Sequence, residues 1–279
     1  MIQGADTLQE QAGEHLSCLR EQSPLVHNIT NYVVMNFTAN VLLALGASPV
    51  MAHCQDEVEE MVALADSLVL NIGTLSREWI HSMLTAGKKA QELAVPVVLD
   101  PVGAGATVLR TQACTQIMAA CKIGLVRGNA SEILALSGGR LQTRGVDASH
   151  SVQEATKTAG SWARKLRTIV AITGSTDLVT DGYQTIRVDN GHPLMKRITG
   201  TGCAASAICA AFMAGAHDPL RAAAYALSLF GLAGEWAGEA AAAPGSFQTA
   251  LIDALYVITP DELRAGARLE EVYVQEKEQ

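Results

Sequence analysis

Three groups of residues in this sequence have the types and spacing needed to move a phosphoryl group. The first is Arg197-Ile198-Thr199-Gly200-Thr201-Gly202-Cys203-Ala204-Ala205-Ser206, a two-glycine loop opening into an Ala-rich apolar segment that runs to residue 216. Glycine reaches backbone conformations closed to other residues and lets a ligand approach the main chain. The first amides of a helix lack intrahelical partners, and the helix dipole adds partial positive charge there. Gly200, Thr201 and Gly202 therefore suit an anion, phosphate above all. Cys203 falls on the first helical turn, where a thiol pKa is expected to be depressed.

The second group is Asp100, ending an apolar run, and Glu132 in Asn129-Ala130-Ser131-Glu132. Mg²⁺ favours one or two carboxylates plus phosphate oxygens and water, which these two would supply. Each also has an ordinary reading, an Asx turn before Pro101 and a first-turn acid on a helix dipole. The third group is Arg127, ending another apolar run, and Thr173-Gly174-Ser175, where a hydroxyl and amides could meet phosphate. A surface salt bridge and a plain strand exit are the alternatives. His27, Asn28 and Asn31 cluster before a predicted helix, with Asn31 expected as its N-cap. Met51 sits at the end of a short apolar run.

Two familiar motifs are absent. No G-x-x-x-x-G-K-[ST] and no G-x-S-x-G occurs, which excludes a P-loop ATPase and a hydrolase elbow. Gly200 to Ala205 formally fits the dinucleotide fingerprint G-x-G-x-x-A. It comes late, however, and residues 191–197 before it do not read as a buried strand.

These residues need a scaffold, and the periodicity supplies one. Helical patterns at 7–21, 33–45, 56–65, 77–93, 111–120, 131–137 and 152–166 alternate with short apolar runs at 48–52, 67–73, 95–103, 123–128 and 168–174. Residues 140–150 read as an exposed loop. Residues 177–181 and 183–188, split by Gly182, predict an antiparallel hairpin. Helices are expected at 202–216, 219–243 and 246–256, followed by a polar tail from about 260.

Strands apolar along their whole length, alternating with helices, indicate a mostly parallel sheet covered on both faces, a three-layer α/β fold. In such sheets ligands bind beyond the carboxyl ends of the strands. Met51 with His53, Asn71, Asp100, Arg127 with Asn129, and Thr173 with Gly174 would all fall on that rim. No repeat or low-complexity linker interrupts the 279 residues, so a single domain is expected.

Composition narrows the class. Hydrophobic residues make up 49% and charged residues 17%, enough apolar side chain for a large core and little charge to cover a surface. The net charge is −8 and no basic run occurs, which argues against nucleic acid and anionic membranes as partners. The acidic N-terminus is no signal peptide, and the longest charge-free apolar stretch, residues 202–216, is too short for a bilayer. The six cysteines form neither a CxxC pair nor a zinc pattern, as expected of a reduced, cytoplasmic protein.

Six motifs in order carry a resemblance: His27-Asn28-Ile29-Thr30-Asn31, Leu70-Asn71-Ile72-Gly73-Thr74, Val98-Leu99-Asp100-Pro101-Val102-Gly103-Ala104, Arg127-Gly128-Asn129-Ala130-Ser131-Glu132-Ile133, Ala171-Ile172-Thr173-Gly174 and Ile198-Thr199-Gly200-Thr201-Gly202-Cys203. From residue 24 to 256 the chain resembles the hydroxyethylthiazole kinase family, within the ribokinase-like superfamily. The resemblance implies transfer of the ATP γ-phosphoryl group to the hydroxyl of 4-methyl-5-(2-hydroxyethyl)thiazole with Mg²⁺, a thiamine salvage step. It also implies that Arg127 and Thr173 contact ATP, that Met51 and Gly200 contact the thiazole, and that Asn28 lies near the hydroxyethyl group. Gly200 to Cys203 would form the anion hole, Asp100 and Glu132 the metal region, and the assembly would be a homotrimer with sites at subunit interfaces. Most ribokinase-like kinases carry Asp where this chain has Cys203, a departure shared with thiazole kinases. A nucleotide-dependent hydrate dehydratase, another small-alcohol kinase and a non-catalytic nucleotide- or thiazole-binding regulator are the alternatives.

Overall fold

Among the described residues a single sheet of nine strands lies in the order 48–50, 25–29, 67–71, 97–100, 125–129, 169–173, 177–180, 185–188 and 269–271. A computed structural model describes residues 6–138 and 148–272. In chain order, α1 (Leu8–Gln22) leads into β1 (Leu25–Ile29), α2 (Met35–Leu45), β2 (Ser48–Val50), α3 (Val58–Leu64), β3 (Ser67–Asn71) and α4 (Arg77–Leu93). Then come β4 (Val97–Asp100), α5 (Val108–Ala120), β5 (Leu125–Asn129), α6 (Ala130–Ser137), α7 (Ala148–Leu166) and β6 (Ile169–Thr173). The hairpin of β7 (Asp177–Thr180) and β8 (Thr185–Val188) precedes a 3₁₀ turn over Pro193–Arg197. The chain closes with α8 (Thr201–Met213), α9 (Pro219–Ala240), α10 (Pro244–Val257), α11 (Pro260–Gly266) and β9 (Leu269–Glu271).

Strands β1 to β6 are parallel; β7, β8 and β9 join antiparallel. Alternate side chains feed two cores. Val69, Val98, Leu125 and Ala171 pack with α1, α2 and α8 to α11 on one face. Leu68, Leu70, Leu99 and Val126 pack with α3 to α7 on the other. Burial on both faces is why these strands read as continuous apolar runs. The three-layer, mostly parallel architecture is therefore as expected.

Three expectations need correction. Residues 25–29, read as a polar approach to a helix, form β1, paired with both β2 and β3. Its His27 and Asn28 are fully buried, and the polar pair masked the strand period. Asn31 is not a cap: α2 starts at Met35 with Val34 as its N-cap residue, leaving the Asn31 side chain to the rim. The polar tail from about 260 instead folds into α11, with a capping box from Thr259 and Glu262, and then β9, which completes the sheet edge. The predicted loop at 140–150 lies outside the described residues except for 148–150, which begin α7.

Helix α9 approaches the segment after β8 so closely that only glycine fits at the crossing. A Cβ on Gly231 would lie 2.5 Å from the Asn190 backbone carbon. Asn190 is held there by Ser228 Oγ, which donates to its Oδ1 at 2.7 Å. Gly231→Ala is expected to lower stability by about 1–3 kcal/mol through overpacking, read as a lower urea midpoint with an unchanged slope.

Candidate active site

Gly200 is the hinge on which the site is built. Its φ of +91° lies in the left-handed region, and a Cβ there would stand 2.9 Å from Val34 Cγ1, so shape and space both require glycine. The turn sends the chain straight into α8, whose residues Ala204 to Met213 are all buried. Gly200 has no side chain to cap the helix. The first-turn amides therefore open onto the carboxyl rim of the sheet, as the anion reading requires.

Two cavities meet at this turn. One, of about 480 Å³, is lined by Arg127, Asn129, Thr173, Gly174, Ser175 and Asp177, by Asn190, Gly191, His192, Pro193, Met195 and Lys196, and by Thr201, Gly202, Ala205, Leu227, Phe230 and Gly231. The other, of about 390 Å³, is lined by Asn31, Val33, Val34, Gly73, Thr74, Asp100, Val102, Arg127, Asn129, Glu132, Thr199, Gly200, Gly202 and Cys203. Arg127, Asn129 and Gly202 belong to both. One cavity has an apolar floor suited to a planar base; the other is smaller and more polar.

Arg127 projects from β5 between the two. Its Nη2 donates to Thr173 Oγ1, and its Nη1 lies 4.0 Å from Asp100 Oδ1. Its Nε is buried without an acceptor. A largely desolvated guanidinium with an open donor is well suited to phosphate oxygens. Gly202 makes room for it, since a Cβ there would meet Nη1 at 2.9 Å.

Asp100 ends β4 almost fully buried. Its Oδ2 accepts from Asn71 Nδ2 at 2.7 Å and Ser206 Oγ at 2.9 Å. Burial raises its pKa, and Arg127 opposes that rise. Among the described residues no hydrogen-bond donor reaches its Oδ1. Glu132 closes a capping box: its Oε2 accepts from the Asn129 amide at 2.8 Å, and its Oε1 accepts from the Gly103 amide at 2.8 Å. Each Glu132 oxygen keeps a second lone pair. Among the described residues no cluster of three or more His, Cys, Asp or Glu side chains could hold a metal by itself. An open Asp100 oxygen with Glu132 lining the same cavity fits a cation whose remaining ligands come from phosphate and water.

Cys203 overturns one expectation. Its thiol is pushed up to about 11 rather than depressed, first by burial and then by Asp100. The Asn71 and Asn31 amides and Arg127 pull it back only in part. The helix-end effect is worth roughly 1 kcal/mol, too little to offset partial burial next to a carboxylate.

Of the predicted residues, Gly200, Gly202, Cys203, Asp100, Glu132, Arg127, Thr173 and Thr201 line one or both cavities. Met51 and Asn28 line neither. Asn28 turns its Nδ2 to the Val26 carbonyl at 2.8 Å and buries its Oδ1 without a partner. Residue-by-residue reading missed Asp177, at the start of β7, whose Oδ1 accepts from the Gly174 amide at 2.8 Å and whose carboxyl burial pushes up to about 6. It also missed Asn190, Met195, Leu227 and Phe230 in the larger cavity. The Gly191-His192-Pro193 break was the one local signal for that wall.

Comparison with known proteins shows the family of the chain. The sequence pattern of the hydroxyethylthiazole kinase family matches residues 16–261. The chain is similar to hydroxyethylthiazole kinase of Desulfotalea psychrophila, 60% identical over 260 residues that cover 93% of this chain and 95% of that one. It is also similar to the solved structure of the hydroxyethylthiazole kinase protein from Pyrococcus horikoshii OT3 (TM-score 0.87, 48% identity), over 94% of this chain and 99% of that one. A pyridoxal kinase from Staphylococcus aureus, solved with AMP-PCP, shares the fold alone (TM-score 0.65, 17% identity), over 90% of this chain and 99% of that one.

Two outcomes are expected from this geometry. Gly202→Ala should displace the Arg127 guanidinium and raise the KM for nucleotide roughly tenfold while leaving the melting temperature nearly unchanged. Iodoacetamide labelling of Cys203, followed by peptide mass spectrometry, should climb about tenfold per pH unit from pH 7 to 9.5. A plateau below pH 8 would show a thiolate already formed at neutral pH.

Proposed function

This chain belongs to the hydroxyethylthiazole kinase family, and from that premise we propose that it transfers the γ-phosphoryl group of ATP to the primary hydroxyl of hydroxyethylthiazole. The carrying observation is the junction of two cavities at Arg127 and the Gly200–Cys203 turn. A nucleotide on the Asn190–Phe230 side and an alcohol on the Cys203 side would place the migrating phosphoryl group over the first amides of α8. Thiazole phosphorylation is the salvage route to thiamine.

Phosphoryl transfer through a loose transition state asks mainly for positioning and charge neutralisation. In this reading the γ-phosphate oxygens rest on the Gly200 to Cys203 amides, and Arg127 holds the phosphate chain from the side. Thr173 orients Arg127. The acceptor oxygen bonds phosphorus as the bridging bond to ADP breaks, and its proton leaves late. Asp100 and Glu132 would hold Mg²⁺, which when bound neutralises phosphate charge. Cys203, a thiol at neutral pH, serves as hydrogen-bonding partner of the hydroxyl rather than as a strong base.

We further propose a homotrimer acting in the cytoplasm. Low surface charge supports assembly, as do the exposed Leu43 of α2 and Tyr256 and Val257 of α10, on helices that pack side by side. Met51, outside both cavities of one chain, would reach the thiazole through assembly, whereas Asn28, fully buried in β1, would act only from behind the residues that line the site. No helix among the described residues is long and apolar enough to cross a membrane.

The test is ADP release with hydroxyethylthiazole against pyridoxal and hydroxymethylpyrimidine, with product analysis. Thiazole phosphate is expected as the main product. ATP- or ADP-dependent dehydration of a hydrate, or ligand binding without turnover, would replace this reading. Cys203→Asp is expected to keep or raise kcat, because a carboxylate both holds the hydroxyl and takes its proton. Cys203→Ala is expected to lower kcat roughly tenfold, the worth of one hydrogen bond. Light scattering after gel filtration should report three subunits.

A further inference from the structure

We propose that Asn31 and Asn71 form a directional amide relay that fixes the Cys203 sulfur at the acceptor hydroxyl, with Asn31 as the positioning residue and Asn71 as its anchor. The proposal rests on the acceptor-side reading of the smaller cavity given above. Asn71, at the end of β3, is fully buried, and Asn31, just beyond β1, is 4% exposed. Asn71 Nδ2 donates to Asp100 Oδ2 at 2.7 Å. Asn71 Oδ1 accepts from the Gly73 amide at 2.9 Å and from Asn31 Nδ2 at 2.9 Å. The same Asn31 nitrogen reaches Cys203 Sγ at 3.4 Å.

The direction of this chain is forced at each link. A backbone amide only donates, so the oxygen end of Asn71 must face Gly73 and the nitrogen end must face Asp100. Asn31 must then present its nitrogen, because its oxygen would meet the Asn71 oxygen. The sulfur of Cys203 is therefore an acceptor in this bond, and its S–H is left for the cavity. The backbone is shaped to permit the relay. A Cβ on Gly73 would lie 2.6 Å from Asn31 Nδ2 and 2.8 Å from Asn31 Cβ, so any larger residue there expels the amide. A buried amide pair is costly to leave unpaired, which makes the sulfur's orientation depend on every member.

The experiment measures kcat and both KM values for Asn31→Asp and Asn31→Ser, each in the wild-type and the Cys203→Ala backgrounds. Asn31→Asp keeps the shape, removes the donor and adds a carboxylate, whereas Asn31→Ser shortens the side chain without adding charge, so an effect common to both reports the lost bond to sulfur. In the wild-type background either variant should lower kcat about tenfold and leave both KM values within about twofold. In the Cys203→Ala background the same changes should cost less than about twofold, because the sulfur they hold is gone. Gly73→Ala should reproduce the Asn31 loss. Equal losses in the two backgrounds, or an unchanged kcat for Asn31→Asp, would overturn the relay. Should Asn31→Asp not fold, Asn31→Ser decides by the same comparison. Labelling of Cys203 by iodoacetamide at pH 8.5 supplies a readout independent of the substrate. It should slow at least threefold in the uncharged Asn31→Ser variant, and an unchanged rate there would count against the relay. Wild-type protein inactive on thiazole, with labelling still slowed, would instead refute the functional reading alone.

Discussion

A helix buried along its whole length can leave its first amides unsatisfied only where something other than its own side chains will meet them. Helix α8 is such a helix, apolar from Ala204 to Met213 and set between the sheet and α9. Its free N–H groups have one outlet, the rim where six parallel strands end. Gly200 aims them there by adopting a backbone angle that other residues take only under strain. The positions of Arg127, Asp100 and Cys203 follow from this, since each lies on a strand end or helix start beside that outlet.

The chemistry of the site is likewise one of compensation in a dry place. A buried carboxylate, a buried guanidinium and a thiol share one corner, and each alters the others. Arg127 favours the Asp100 carboxylate against the cost of its burial, while burial first and Asp100 second keep Cys203 protonated. Such a corner is poor at abstracting protons and good at holding negative charge, which matches the demands of a loose transition state.

Much of this was legible in the sequence, for physical reasons that can be stated. The strands at 67–73, 95–103, 123–128 and 168–174 announced themselves because both their faces are buried. The glycine turn announced itself because glycine pairs before an apolar helix have few other uses. β1 did not, because its His27 and Asn28 are buried polar residues inside a strand, and a polar pair breaks both periodicities. β9 did not, because an edge strand of three residues with two exposed acids looks like tail. The thiol of Cys203 was misjudged because burial and a neighbouring carboxylate come from strands distant in sequence. The larger cavity's floor needs α9 to cross the segment after β8, a contact that no local pattern encodes.

The ninth strand has a consequence for how the molecule comes into being. β9 pairs with β8, Gln9 of α1 donates to the Leu269 carbonyl, and Arg268 reaches Asp189 and Glu235 beside the larger cavity. On the ribosome the chain emerges from its amino end. β8 therefore stands as an unprotected edge, a template for wrong pairing, until nearly the last described residues have left the exit tunnel. An arrested or clipped product lacking residues 269–271 would carry the entire Gly200–Cys203 turn yet lack the strand that closes its sheet.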